Sequence, residues 1–255
     1  MKTNFFDNVY QWKMDRDGHS VKIPAFYYDN SMLNAIYTAS TEKVKKLLPA
    51  QDMRLLEMMP GRCFVVFTAF EYRACDLDPY NEFSIAFLIN HEERQFPALS
   101  VALQYLQKHL KLYVWQLPVT TEIARYGGVE LYGYPKFLAD IKFTKSSANL
   151  ECNLAEKGKK ILTLTGKKLK TSKEDILRYS TFSEKDGIAL MANLHINPLE
   201  FSQSLSSDSC SLKLYDEHPI GQRLRTLELS DNPVLYQYAP QFEGILFPAR
   251  NVRDV

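Results

Sequence analysis

Four cysteines in 255 residues, Cys63, Cys75, Cys152 and Cys210, are too few and too scattered for a disulfide framework. None forms a CxxC pair, so they read as reduced, mostly buried thiols, and the expected compartment is the cytoplasm. Charge of one sign is missing as well. The net charge is +1, which argues against nucleic acid or an anionic membrane as the main partner. No run approaches 18 apolar residues, so no membrane-spanning helix is expected. The N-terminal Met1–Asp7 has no apolar signal core.

Several catalytic signatures are also absent. The five histidines are His19, His91, His109, His195 and His218, and none pairs with His, Cys or Asp at metal-ligand spacing. His91-Glu92-Glu93 is not an HExxH motif, and Asp216-Glu217-His218 reads as a polar turn before Pro219. No metal site is expected. There is no GxSxG elbow, and the serines of 202–211 read as a loop. Gly127-Gly128 makes neither a GxGxxG loop nor a Walker loop. The basic run Lys157 to Lys173 has almost no aromatic residues interleaved and reads as a solvated hairpin.

Aromatic residues are plentiful: 15 tyrosines and 15 phenylalanines can fill strands and line a cavity. Residues 1–22 are polar and read as an N-terminal arm. Extended segments follow at 22–28 and 33–37, and then a short helix starting at Ser40 or Thr41 with Val44, Leu47 and Leu48 on one face. Strands are expected at 53–59 and 63–70 around a Pro60-Gly61 turn, and at 82–89, where Glu82, Ser84, Ala86 and Leu88 share a face. A helix follows Pro97, and a strand covers 110–117. Glu156-Lys157-Gly158 joins a hairpin of 149–154 and 160–165. Short strands are expected near 188–195, 209–215, 224–229, 234–238 and 242–247. The pattern implies one β-rich domain over 1–255, a barrel or sandwich with a few packed helices.

The chemistry concentrates in Gly127–Leu138. Thr120–Arg125 reads as a short helix that Gly127 and Gly128 would stop. Phe137, Ala139, Ile141 and Phe143 then alternate as one face of a strand. Lys136 falls between the two. In water a lysine has a pKa near 10.4, so at pH 7 roughly one amine in 2,500 is neutral and the residue is a poor nucleophile. Burial against Tyr132, Tyr134, Pro135 and Phe137 would lower that value and permit attack on a ketone. By spacing alone a surface role remains open for Lys136. The same holds for Glu82, which is either a strand-start surface carboxylate or one aimed into a cavity to move protons.

Glu130-Leu131-Tyr132-Gly133-Tyr134-Pro135-Lys136 resembles the segment around the Schiff-base lysine of the acetoacetate decarboxylase family. Pro24-Ala25-Phe26, Asn34–Tyr37, Tyr80-Asn81-Glu82, Leu212–Pro219 and Ile245–Pro248 are similar to further family segments in the same order. The resemblance implies a large antiparallel β-barrel around an apolar pocket, in a homo-oligomer. It implies Lys136 and Glu82 as catalytic residues, a small keto-acid or ketone substrate, and no cofactor. Three positions depart from the family pattern. Phe137 stands where a second lysine is usual, Asn30 where an arginine is thought to hold the substrate carboxylate, and Val66 near a second glutamate. Phe137, Tyr134 and Asn30 are therefore expected at the substrate, with Arg125 or Arg73 as a replacement cation. The expected reaction is decarboxylation of acetoacetate or a related β-keto acid. The alternatives are aldol or dehydration chemistry through the same iminium, or a barrel that binds ligand without turnover.

Overall fold

A computed structural model of the chain describes residues 4–16, 18–49, 53–90 and 97–254, with the side chains of residues 16 and 97–100 outside that description. His91-Glu92-Glu93 therefore lies outside the described residues.

The expected N-terminal arm is a hairpin, β1 (Trp12–Arg16) and β2 (His19–Ile23), which turns at Gly18. Val21 and Ile23 are its buried face, and their alternation was hidden by the polar residues around them. Asp76 fastens the hairpin to the body. It accepts hydrogen bonds from Gln11 Nε2 (2.7 Å), the Phe26 N–H (2.9 Å), Lys22 Nζ (3.0 Å) and Tyr28 OH (2.9 Å).

Of the two extended segments expected at 22–28 and 33–37, residues 22–23 end β2 and the rest, from Ala25 on, belong to a single 16-residue strand, β3 (Ala25–Ser40), which ends at Ser40 where α1 (Thr41–Lys45) begins and buries Val44. Then come β4 (Arg54–Leu55), β5 (Glu57–Met59) and β6 (Arg62–Cys75), with Gly61 at φ 80° in the turn. A hairpin partner, β7 (Tyr80–Asn90), follows, then α2 (Pro97–Leu106) and β8 (His109–Gln116). Next are α3 (Glu122–Tyr132) and a meander of β9 (Asp140–Lys145), β10 (Asn149–Glu156) and β11 (Lys159–Lys167). The chain closes with β12 (Leu177–Lys185), β13 (Ile188–Ser204), β14 (Cys210–Leu214), α4 (Pro219–Arg225), β15 (Leu235–Leu246) and β16 (Arg250–Asn251).

Segment 224–229 is thus the end of a helix and its exit, not a strand. Pro219 sits in the first turn and His218 Nδ1 accepts from the Ile220 N–H (3.1 Å), a start signal that outweighs the leucine spacing. Similarly, 234–238 and 242–247 are one strand. β15 bends through irregularities at Ala239/Phe242 and Phe242/Gly244 instead of turning. The Ser202–Ser211 region is partly strand, because β13 runs on to Ser204.

Seven strands close into a barrel in the order β7-β8-β12-β13-β15-β3-β6 and back to β7. Six of the seven pairings are antiparallel, in keeping with the expected antiparallel barrel, and one, β8–β12, is parallel. A second, antiparallel sheet, β14-β11-β10-β9, packs on the outside. Alternation along each barrel strand feeds two cores. Met32, Ile36, Val66, Phe70, Leu112 and Ile196 point into the barrel. Leu33, Tyr37, Phe67, Phe83 and Phe87 point outward and meet Ile141, Cys152, Leu154 and Leu164 of the outer sheet. Full burial of such a side chain stabilises by about 1.5–3 kcal/mol, so a one-residue slip of any barrel strand would exchange the two cores and is strongly disfavoured. Cys63, Cys152 and Cys210 are buried free thiols, and Cys75 is half-buried.

Candidate active site

The helix expected to stop at Gly127 runs through both glycines. It ends at Gly133, whose φ of 61° is the left-handed conformation that glycine adopts without strain. The Gly133 N–H donates to Val129 O (3.2 Å) and the Tyr134 N–H to Gly128 O (3.0 Å), so the last helical carbonyls are satisfied. Pro135 then makes a tight three-residue turn, with the Lys136 N–H donating to Tyr134 O (2.7 Å).

Beyond that turn the chain is extended, but it is not yet β9. Segment 135–139 runs parallel to the end of the chain leaving β8. The Leu117 N–H donates to Pro135 O (3.3 Å), the Val119 N–H to Phe137 O (2.9 Å), and the Ala139 N–H to Val119 O (2.9 Å). Val119 is bridged on its other side to Glu82. Lys136 and Glu82 are therefore brought together by one intervening extended segment, although 54 residues separate them in sequence.

Lys136 Nζ donates to Glu82 Oε2 at 2.7 Å, and the two side chains are only 5% and 9% exposed. Glu82 Oε1 accepts from Tyr72 OH (3.3 Å). The Lys136 amine lies 5.7 Å from the centroid of the Tyr80 ring, within cation–π range. Tyr72 packs between Tyr27 (centroids 4.5 Å apart) and Tyr80 (4.7 Å). Burial, and then the neighbouring Glu82 carboxylate, push all three phenols well above the ordinary tyrosine range. They remain hydrogen-bond donors at any physiological pH.

The pair lies on the wall of a cavity of about 70 Å³ inside the barrel. Its other polar lining is neutral: Asn34, Thr68, Ser84 and Thr181, with the Tyr134 OH bonded to Thr181 Oγ1 (2.6 Å). Lys136 and Glu82 are its only charged lining residues among those described. The lysine stem crosses the helix at Gly128. A Cβ built there would sit 2.3 Å from Lys136 Cδ and 2.4 Å from Cε. The helix interior glycine thus makes room for the lysine, whereas the sequence pattern suggested a helix stop.

The sequence-derived candidates divide as follows. Lys136, Glu82 and Tyr134 line the cavity, as does Val66. Phe137 does not; it packs against the outer core between barrel and sheet, because consecutive residues of an extended segment face opposite ways. Its expected place in the apolar wall around the amine is taken by Tyr27, Tyr72 and Tyr80. Asn30 is buried but outside the cavity lining, donating through Nδ2 to Phe242 O (3.0 Å). Arg125 lies on α3, its guanidinium hydrogen-bonded to both carboxylate oxygens of Glu122. Arg73 is paired with Asp29 and Glu71. Neither arginine lines the cavity. Tyr27, Tyr72, Tyr80 and Gly128 were missed. Tyr80 shares the strand face of Glu82, and Tyr72 that of Val66, so strand alternation carried a signal for both.

The residues described include no cluster of three or more His, Cys, Asp or Glu side chains placed to hold a metal ion. No described helix is long and apolar enough to cross a membrane.

The sequence profile of the family described as "Acetoacetate decarboxylase (ADC)" matches residues 14–197. No curated protein matches the sequence. Among solved structures, the chain is similar to an acetoacetate decarboxylase from Legionella pneumophila subsp. pneumophila str. Philadelphia 1. The TM-score is 0.66 and the identity 14%, over 90% of this chain and 87% of that one. It is also similar to the enduracididine biosynthesis enzyme MppR complexed with pyruvate (TM-score 0.64, 11% identity, 90% of each chain). A third similar structure is an acetoacetate decarboxylase-like enzyme from Sphingomonas wittichii RW1 (TM-score 0.53, 15% identity, 89% of this chain and 92% of that one). At these identities the likeness is one of fold.

Proposed function

The chain belongs to the acetoacetate decarboxylase family, and from that premise we propose that it is a Schiff-base enzyme in which Lys136 attacks the ketone of a small β-keto acid and carbon dioxide leaves. The observation that carries this reading is the buried Lys136–Glu82 pair, with its amine 2.7 Å from the carboxylate on the wall of a small apolar cavity.

Lys136 and Glu82 carry the steps that lead to the iminium. Glu82 takes a proton from the Lys136 amine along their hydrogen bond, which frees the nitrogen lone pair. Nitrogen attacks the carbonyl carbon. Glu82 returns that proton to the oxygen and relays a second one from the nitrogen, so that water leaves and the iminium forms. The electrons of the breaking carbon–carboxylate bond move into the iminium and carbon dioxide departs. The resulting enamine is protonated at carbon, and water hydrolyses it to the ketone and the free amine. The apolar wall favours loss of the carboxylate, because the charge it carries is poorly solvated there. Tyr72, held as a donor, keeps Glu82 oriented through its second oxygen. Tyr134, fixed by Thr181, walls the cavity beside the substrate.

One observation favours a second reading. Apart from Lys136 and Glu82, the described cavity lining offers a substrate carboxylate no charged partner, only neutral amide and hydroxyl groups. Such a lining suits a ketone with a neutral hydroxyl or carbonyl, and hence aldol or dehydration chemistry through the same iminium. Release of carbon dioxide from acetoacetate supports the decarboxylase. Trapping without release, together with aldehyde consumption alongside pyruvate, supports the second reading. The same family reading carries a single domain over 1–255, a homo-oligomer and a cytoplasmic location, and light scattering of the purified chain tests the oligomer.

A further inference from the structure

The barrel has a second chamber, and nothing in the Schiff-base reading uses it. It holds about 610 Å³, within the ~300–1,000 Å³ range of small-molecule sites, against about 70 Å³ for the cavity at Lys136. The same strands line both chambers at successive inward positions. On β3, Asn34 faces the lysine cavity and Ile36 the larger chamber. On β6 the positions are Val66 and Phe64, and on β12 Thr181 and Leu177, with Tyr179 between them touching both. Each such two-residue step is about 6.6–6.8 Å. The larger chamber is therefore the opposite end of the barrel bore. Val66, Leu112 and Ile196 line the lysine cavity alone, and the two linings share only Tyr179, so a small substrate at Lys136 does not fill the larger chamber.

Its composition specifies an occupant. The walls are mostly apolar, from Phe64, Leu88, Leu110, Leu177 and Phe201; Gln104, Gln203 and Gln237 also line them, each already hydrogen-bonded to a neighbouring residue. The rim, from Met58, Tyr105, Leu106 and Leu205, is apolar and open to solvent, with Leu106 75% and Leu205 78% exposed. Exposed apolar residues gathered around one concavity mark a binding site more than scattered ones do. Three charged residues line the chamber. Lys108 and Glu174 are paired with each other at 2.6 Å, which leaves Arg178 as the one charged lining group without an ion-pair partner among the described residues; it is exposed and out of phase with the inward Leu177 and Tyr179, so it stands at the solvent edge of the mouth and not inside the bore. We propose that this chamber binds an elongated apolar carboxylic acid, with its tail between the barrel strands and α2 and its carboxylate at Arg178.

Calorimetric titration with decanoate tests the assignment, using the full chain. One decanoate per chain is expected. The rim variant Leu106→Asp/Leu205→Asp is expected to weaken it at least tenfold; both positions are exposed, so folding is spared. Arg178→Glu is expected to weaken decanoate at least fivefold and to leave decanol unchanged. Lys136→Arg is expected to bind decanoate as the wild type does, which separates this site from the lysine cavity. The proposal is overturned if the wild type shows no saturable binding, or if Lys136→Arg abolishes it. It is also overturned if the rim variant breaks an oligomer of the chain and decanoate binds neither form, since the rim is then an interface between copies. Borohydride trapping at Lys136 is a separate readout, so either reading can fail alone.

Discussion

Gly128 offers a test that separates folding from function within one helix. Replacing an interior helix glycine by alanine stabilises by about 0.8–1 kcal/mol when the space allows it. At Gly127 it does: a Cβ there meets nothing within 4 Å. At Gly128 the new methyl would stand 2.3 Å from Lys136 Cδ and 2.4 Å from Cε, and 3.1 Å from Cγ. Ordinary contact begins at 3.4 Å, so the lysine stem must move by about 1 Å. Because the clashing atoms lie along a flexible side chain, the helix survives and only the amine is displaced. A misplacement of about 1 Å at a reacting group costs on the order of 100-fold in rate. Gly128→Ala is therefore expected to unfold within a few degrees of the wild type and to form the borohydride-trapped adduct with acetoacetate about 100-fold more slowly. Gly127→Ala is expected to raise Tm by about 2–4 °C, the shift that ~1 kcal/mol gives a chain of this size, with the trapping rate unchanged. A Gly128→Ala protein that traps at the wild-type rate refutes the claim that this glycine seats the lysine.

Three further outcomes follow from the same geometry. Glu82→Gln keeps a hydrogen-bonding group beside the amine but cannot take up or return a proton, and is expected to slow turnover by about 100–10,000-fold, the usual worth of a positioned acid–base group; steady-state kinetics on the substrate that traps checks this. Phe137→Ala is expected to lower stability by about 1–3 kcal/mol in a urea melt, below the loss for a fully buried phenylalanine, while trapping at Lys136 persists, because Phe137 packs in the outer core. Burial alone would raise the Asp76 carboxyl, but the Phe26 N–H with Gln11, Lys22 and Tyr28 outweighs it and holds it below the usual range. A carboxyl depressed in the folded state contributes stability above its unfolded value of about 3.9 that is lost as pH falls through the folded one. Asp76→Asn should therefore flatten the acid side of the stability profile below about pH 4 and speed hydrogen exchange in β1 and β2.

The barrel strands were legible wherever alternation was clean, as in β7, where Glu82, Ser84, Ala86 and Leu88 share a face as read; that this face points inward was left open by the pattern. Closure was not legible, because it depends on bulges in long strands and on a parallel β8–β12 pairing that no local pattern encodes. Lys136 and Glu82 could be singled out from the residues around them, but their contact could not. It is made by Val119, whose role between two distant segments is purely topological. The two glycines at 127–128 misled for a physical reason. Glycine in a helix usually signals an end, and here the missing Cβ serves a neighbouring side chain, with the true cap five residues on at Gly133. Arg125 was a sound candidate by charge and wrong by geometry, since the α3 position it occupies faces Glu122 and solvent.

The central claim is that Lys136 forms a covalent iminium with a ketone. The most direct measurement is borohydride reduction in the presence of acetoacetate, followed by mass spectrometry of the intact chain and of the peptide carrying residue 136. Lys136→Arg keeps a positive charge beside Glu82, so the buried pair is not broken, an event that typically costs about 3–5 kcal/mol. The account predicts one reduced adduct per chain, located on Lys136 and absent from Lys136→Arg. An adduct that persists in a folded Lys136→Arg protein, or none on the wild type, would contradict it.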